Sequence, residues 1–90
     1  MASLRMIKKD IDFLASEIIS DCWVYMYINP EEKTDQVVAI INDAVILRNE
    51  LIDRVNSRQI ENAKKHYKAI NQDLLKGVDA LFMRISALIK

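Results

Sequence analysis

The sequence predicts an all-α fold, an antiparallel up-down-up bundle of three helices, and three observations carry that expectation. The 90 residues include one Gly and one Pro. Hairpins and phosphate-binding loops need several of each, so a few long helices joined by short connections must account for the chain. Apolar residues recur at threes and fours through three long stretches, which is the helical period. Short connections then make consecutive helices antiparallel neighbours. At this length there is room for a single domain with one core, spanning residues 1–90.

The first helix is expected from about residue 3 to 28. Ser3 is its candidate N-cap, and Leu4, Ile7, Ile11, Leu14, Ala15, Ile18, Cys22, Tyr25 and Met26 form its apolar stripe. Two starts are available for the second helix. Asn29-Pro30-Glu31-Glu32 places Pro at a first helical position, and Thr34-Asp35 offers the other, so this helix begins near residue 31 or 35 and ends near 55. Its apolar positions, Val37, Ile40, Ile41, Ala44, Val45, Leu47, Leu51, Ile52 and Val55, cover roughly half the circumference. An arc that wide contacts two neighbours. Asn56-Ser57 is the only polar break before the third helix, expected over residues 57–90. Gly77 inside it marks either a bend or a close helix contact.

Thirteen basic and thirteen acidic side chains leave a formal charge of zero. That removes the broad electrostatic attraction on which nonspecific nucleic-acid or anionic-membrane binding relies. No apolar run reaches the ~18 residues of a membrane span. Cys22 is the only cysteine, and residues 1–10 lack the apolar core of a signal peptide, so a reducing cytoplasm is expected. His66 is the only histidine. With no Glu-x-x-His pair, Walker loop, dinucleotide fingerprint or nucleophile elbow, the expectation is no metal, no cofactor, no small-molecule ligand and no enzymatic activity.

Two polar residues fall on the expected inner faces. Arg48 lies near the centre of the apolar face of the second helix, where a guanidinium needs Asp12, Glu17 or the Tyr67 hydroxyl as a partner. Asn71 lies on the inner half of the third helix, as a buried amide that fixes packing register. Arg58, Lys64, Lys65 and Lys68 make the start of the third helix locally basic. They support an alternative reading, a nucleic-acid-associated regulatory protein, against which the neutral total charge weighs.

The leading expectation is a noncatalytic interaction or scaffold module that forms a homodimer or binds another protein's helix. Met6, Phe13, Trp23, Val24 and Tyr27 fall outside the main stripe of the first helix. Of these, Met6, Phe13 and Val24 lie within roughly 20° of one another and form a second stripe. The third helix, read as the longest, would also project about 13 Å beyond the first. That leaves Phe82, Ile85, Leu88 and Ile89 to be covered by a second copy. The competing expectation is that an early start of the second helix, or a bend at Gly77, covers them within the chain.

Lys8-Lys9-Asp10-Ile11-Asp12, Ile41-Asn42-Asp43-Ala44 and Leu47-Arg48-Asn49-Glu50-Leu51 resemble segments of a group of small all-helical proteins of Bacteroidota. The resemblance spans most of the chain. It implies a bacterial cytoplasmic setting and brings no activity, ligand or catalytic residue.

Overall fold

A computed structural model of the chain describes residues 4–57 and 63–89. It is an all-α bundle of three helices, α1 (Leu4–Ile28), α2 (Thr34–Val55) and α3 (Ala63–Ile89). Ser3, read as an N-cap, and Arg58 lie outside the described residues, as does the side chain of Ile89. The described part is a rod of 49 × 19 × 17 Å.

Cross-helix ion pairs give the topology directly. Arg48 of α2 donates from Nε to Asp12 of α1 at 2.7 Å, and Arg54 of α2 donates to Asp73 of α3 at 2.7 Å. Arg84 of α3 donates to Asp43 of α2 at 2.6 Å. Between α2 and α3 residue numbers rise along one helix as they fall along the other, and the five-residue connection from Ile28 to Thr34 with the Asp12–Arg48 pair midway along both helices turns α2 back along α1, so α2 runs antiparallel to both neighbours. The Tyr25 hydroxyl approaches the Leu88 carbonyl at 3.5 Å, which puts the C-terminal ends of α1 and α3 side by side. The α1–α2 interface is the most extensive of the three and the α1–α3 interface the least.

Between the helices lies one apolar core. Ile11, Ile18 and Cys22 of α1, Val37, Ile40, Ala44 and Leu51 of α2, and Ile70 and Leu74 of α3 are almost fully buried. No polar or charged residue is buried among the described residues. Shape complementarity therefore supplies the stabilisation, and the three ion pairs at the rim oppose a slide of one helix past another.

At the first connection, the second of the two available starts is used. Asn29 ends α1, its backbone and side-chain amides both donating to the Tyr25 carbonyl at 2.8 and 3.3 Å. Lys33 then adopts a left-handed conformation, φ 53° and ψ 28°, immediately before Thr34. A non-glycine residue in that region costs about 1–2 kcal/mol. The turn it makes sends α2 back along α1, and Lys33 Nζ donates to the Leu88 carbonyl at 3.2 Å, tying the connection to the end of α3.

The expected overhang of the third helix is corrected. As described, α3 has 27 residues against 25 in α1, and Ser57 is not helical. Ile85 and Leu88 are 6% and 7% exposed, buried in the chain's own core, and Phe82 packs against it half-buried. They need no second copy. The cover does not come from a start at Glu31, since α2 begins at Thr34; it comes from the end of α1, which lies level with the end of α3 where the Tyr25 hydroxyl reaches the Leu88 carbonyl.

At Gly77 the structure shows a close contact with α2. A Cβ there would stand 2.7 and 2.9 Å from the two Leu47 methyl carbons, closer than carbon atoms pack. Gly77→Ala adds about 1 kcal/mol of helix propensity but forces Leu47 to move. In a Leu47→Ala background that clash is gone. Gly77→Ala is expected to stabilise the Leu47→Ala protein by about 1 kcal/mol and to leave the wild type unchanged or weaker. Denaturant midpoints of the four proteins measure this coupling; equal effects in both backgrounds would show that Leu47 does not constrain the site.

Candidate interaction surface

Arg48 and Asn71, both read as buried polar groups, are not buried. The Arg48 side chain is 42% exposed and that of its partner Asp12 50%, and Arg48 Nη1 also donates to Asn49 at 2.9 Å. The physical reason lies at Val45. This residue has the spacing of the inner arc but is 39% exposed, so the buried arc of α2 is narrower than its apolar arc and Arg48 falls at its α1 edge. Asn71 is exposed because it lies on the α1 side of α3, where the least extensive interface leaves the helix edge open. Of Asp12, Glu17 and the Tyr67 hydroxyl, Arg48 pairs with Asp12. Half-exposed ion pairs contribute about 0–1 kcal/mol. Arg48→Met and Asp12→Asn are therefore each expected to change unfolding free energy by less than about 1 kcal/mol. A loss of 3 kcal/mol in either denaturant melt would mean that the pair is dry.

His66 serves the fold. Its Nε2 donates to the Arg54 carbonyl at 2.7 Å, a second donor there beside the Ser57 amide at 3.3 Å, so that α3 is tied to the last turn of α2. The ring also meets Tyr67 edge-on, at 5.4 Å between centroids. Sequence reading had no means of finding this role, because it depends on where α3 returns past the end of α2. Lys64, Lys65 and Lys68 are exposed near this point.

Cys22 is 1% exposed. Burial pushes its thiol pKa above the ordinary value, the nearby Asp21 carboxylate adds to the rise, and Arg84 opposes it. The native state thus holds this proton more tightly than the unfolded chain does. The thiol's contribution to stability is full below its unfolded pKa and declines as pH rises through the folded one. Among the described residues no three His, Cys, Asp or Glu side chains are grouped so as to hold a metal ion. No described helix is long and apolar enough to cross a membrane.

What the described surface does present is apolar area on the outer sides of the helices. Met6, Phe13 and Val24 are 58%, 62% and 55% exposed, as expected for a second stripe, and Trp23 and Tyr27 are exposed beside them. On α2, Val38, outside the inner arc, is exposed, and so is Val45, whose exposure periodicity alone does not reveal because apolar residues at helical spacing look alike whichever way they face. A cleft of about 440 Å³ lies between the C-terminal ends of α1 and α3, floored by Tyr25, Ile85 and Leu88 and edged by Asp21 and Glu32. No known protein family, curated protein or solved structure matches the chain.

Proposed function

We propose that this chain is a noncatalytic protein-interaction module that self-associates through its exposed helical surfaces in a bacterial cytoplasm. The observation that carries the reading is the outer side of α1, where Trp23 and Tyr27 toward α2 and Phe13 and Val24 on the other flank are 55% exposed or more although the chain has a complete core without them. Exposed apolar groups are ordinary when scattered, but contiguous ones mark contact surfaces. The buried, protonated Cys22 suits a reducing compartment, and the likeness of residues 8–12, 41–44 and 47–51 to helical proteins of Bacteroidota supports a bacterial setting. Anything that binds the folded state alone raises the unfolding temperature with concentration. Thermal melts of the full chain from about 5 to 500 µM should therefore shift upward by several degrees. A midpoint independent of concentration, together with a monomeric mass, would remove self-association.

A further inference from the structure

Two apolar surfaces compete on the outside of the bundle, and charge separates them. The Met6, Phe13 and Val24 stripe of α1 has Asp10, Glu17 and Asp21 along one flank, since these acids fall within about 60° of it at 100° per residue. Asp21 lines the cleft beside α3, which identifies this as the α3 side. A twofold contact is self-complementary by construction. With the two α1 helices antiparallel across such an axis, this row of carboxylates would lie beside its own copy.

The other surface is the outer seam between α1 and α2. Asp12 meets Arg48 across it, so the positions level with that pair and facing the same way can be read from the helical period. Ile19, Trp23 and Tyr27 follow on α1, and Val38, Ile41 and Val45 on α2. Ile19 and Ile41 are half-buried in the seam, while Trp23, Tyr27, Val38 and Val45 are 63%, 87%, 43% and 39% exposed on either side of it. Positions 34, 38, 41, 45, 48 and 52 of α2 carry a single charge, Arg48, and positions 16, 19, 20, 23, 26 and 27 of α1 carry none; the cations Arg5 and Lys9, five turns before Trp23 and Tyr27 at the same angles, form the charged end of this face. Arg48 is already neutralised by Asp12. Loss of charge from the centre, with Trp and Tyr present, is the composition that distinguishes the core of a protein interface from ordinary surface.

We propose that this α1–α2 face is the docking surface for a second copy of the chain, related by a twofold axis. The inference rests on the self-association proposed above and names its face. A face whose centre holds no unpaired charge, with Arg5 and Lys9 confined to one end, matches itself about a twofold axis that sets those cations far from their copies, which the acid-flanked stripe does not. Its size also fits. The long side of the rod measures 49 × 19 Å, about 900 Å² per copy against the roughly 800 Å² per partner of a stable interface. A lone partner helix, about 10–12 Å across, would cover only part of a 19 Å width. Two antiparallel pairs, α1 and α2 from each copy, cover each other fully in a four-helix layer at ordinary interhelical distance.

The test is sedimentation equilibrium on the full chain, comparing the wild type with two double variants. Trp23→Lys with Val45→Lys places charge on the seam, and Phe13→Lys with Val24→Lys places it on the competing stripe. All four sites are exposed, so each variant should keep a cooperative helical melt, checked by circular dichroism. The expected result is a dimeric wild type, a seam variant whose dimer dissociation constant rises at least 100-fold, and a stripe variant within about 5-fold of wild type. Three outcomes overturn the proposal. A dimer broken by the stripe variant and not by the seam variant would keep self-association and discard this face. Equal weakening by both would show that the seam is not its centre. A wild type monomeric at 500 µM would discard the face and self-association together.

Discussion

Placing Lys at Ile85 and Glu at Leu88 in one chain is expected to lower the unfolding free energy by at least about 4 kcal/mol, with loss of tertiary packing rather than simple dissociation of an assembly. Both side chains are nearly fully buried, at 6% and 7% exposure, against α1 and the start of α2. Each contributes about 1.5–3 kcal/mol by leaving water. Neither replacement finds a countercharge in a core without buried polar groups, so the new charges reach water only if the end of α3 detaches. That detachment also breaks the contacts of the Leu88 carbonyl with Tyr25 and Lys33. A domain of this length has a total stability on the order of 5–13 kcal/mol, so the loss is a large share of it. Denaturant unfolding followed by circular dichroism at a few micromolar reads the effect. A variant with the wild-type midpoint would show that the end of α3 is not packed against the bundle.

Ile18→Ala is expected to cost about 3–4 kcal/mol. Ile18 is fully buried at 0% exposure in the middle of α1, where it meets the core that α2 and α3 share. Deleting its outer atoms loses their transfer free energy and leaves a cavity that rigid helices close only in part, which is why such changes span about 2–5 kcal/mol. The melting temperature should fall by more than 10 °C, at about 4–8 °C per kcal/mol for a domain of this size. Phe13→Ala is the matched control. It removes more atoms, but from a side chain that is 62% exposed, and should cost less than about 1 kcal/mol in the monomer. If the two substitutions cost the same, the assignment of inner and outer faces on α1 is wrong.

Much of this architecture was legible in the amino-acid sequence because helices obey a local period. The apolar spacing from Leu4 to Met26, the turn residues Asn29 and Pro30, and the scarcity of Gly are properties of neighbouring positions, and they specify three helices and their antiparallel order without reference to anything distant. The same locality explains where sequence reading went astray. Val45 has the spacing of a core residue, and only the rotation of α2 about its axis, set by α1 and α3 together, leaves it 39% exposed. With Val45 outside, the inner arc narrows, so Arg48 moves to the rim beside Asp12, and its pairing becomes a surface interaction.

The end of α3 was decided in the same way. Length alone suggested an uncovered segment, but the extent of α3, the left-handed turn at Lys33 and the hydrogen bonds to the Leu88 carbonyl bring α1, α2 and α3 level. The sequence by itself determined that three amphipathic helices must share one core. Which apolar residues remain outside it depends on how the three rotate against each other. That rotation minimises exposed area over all three interfaces at once, and no single stretch of sequence carries the information.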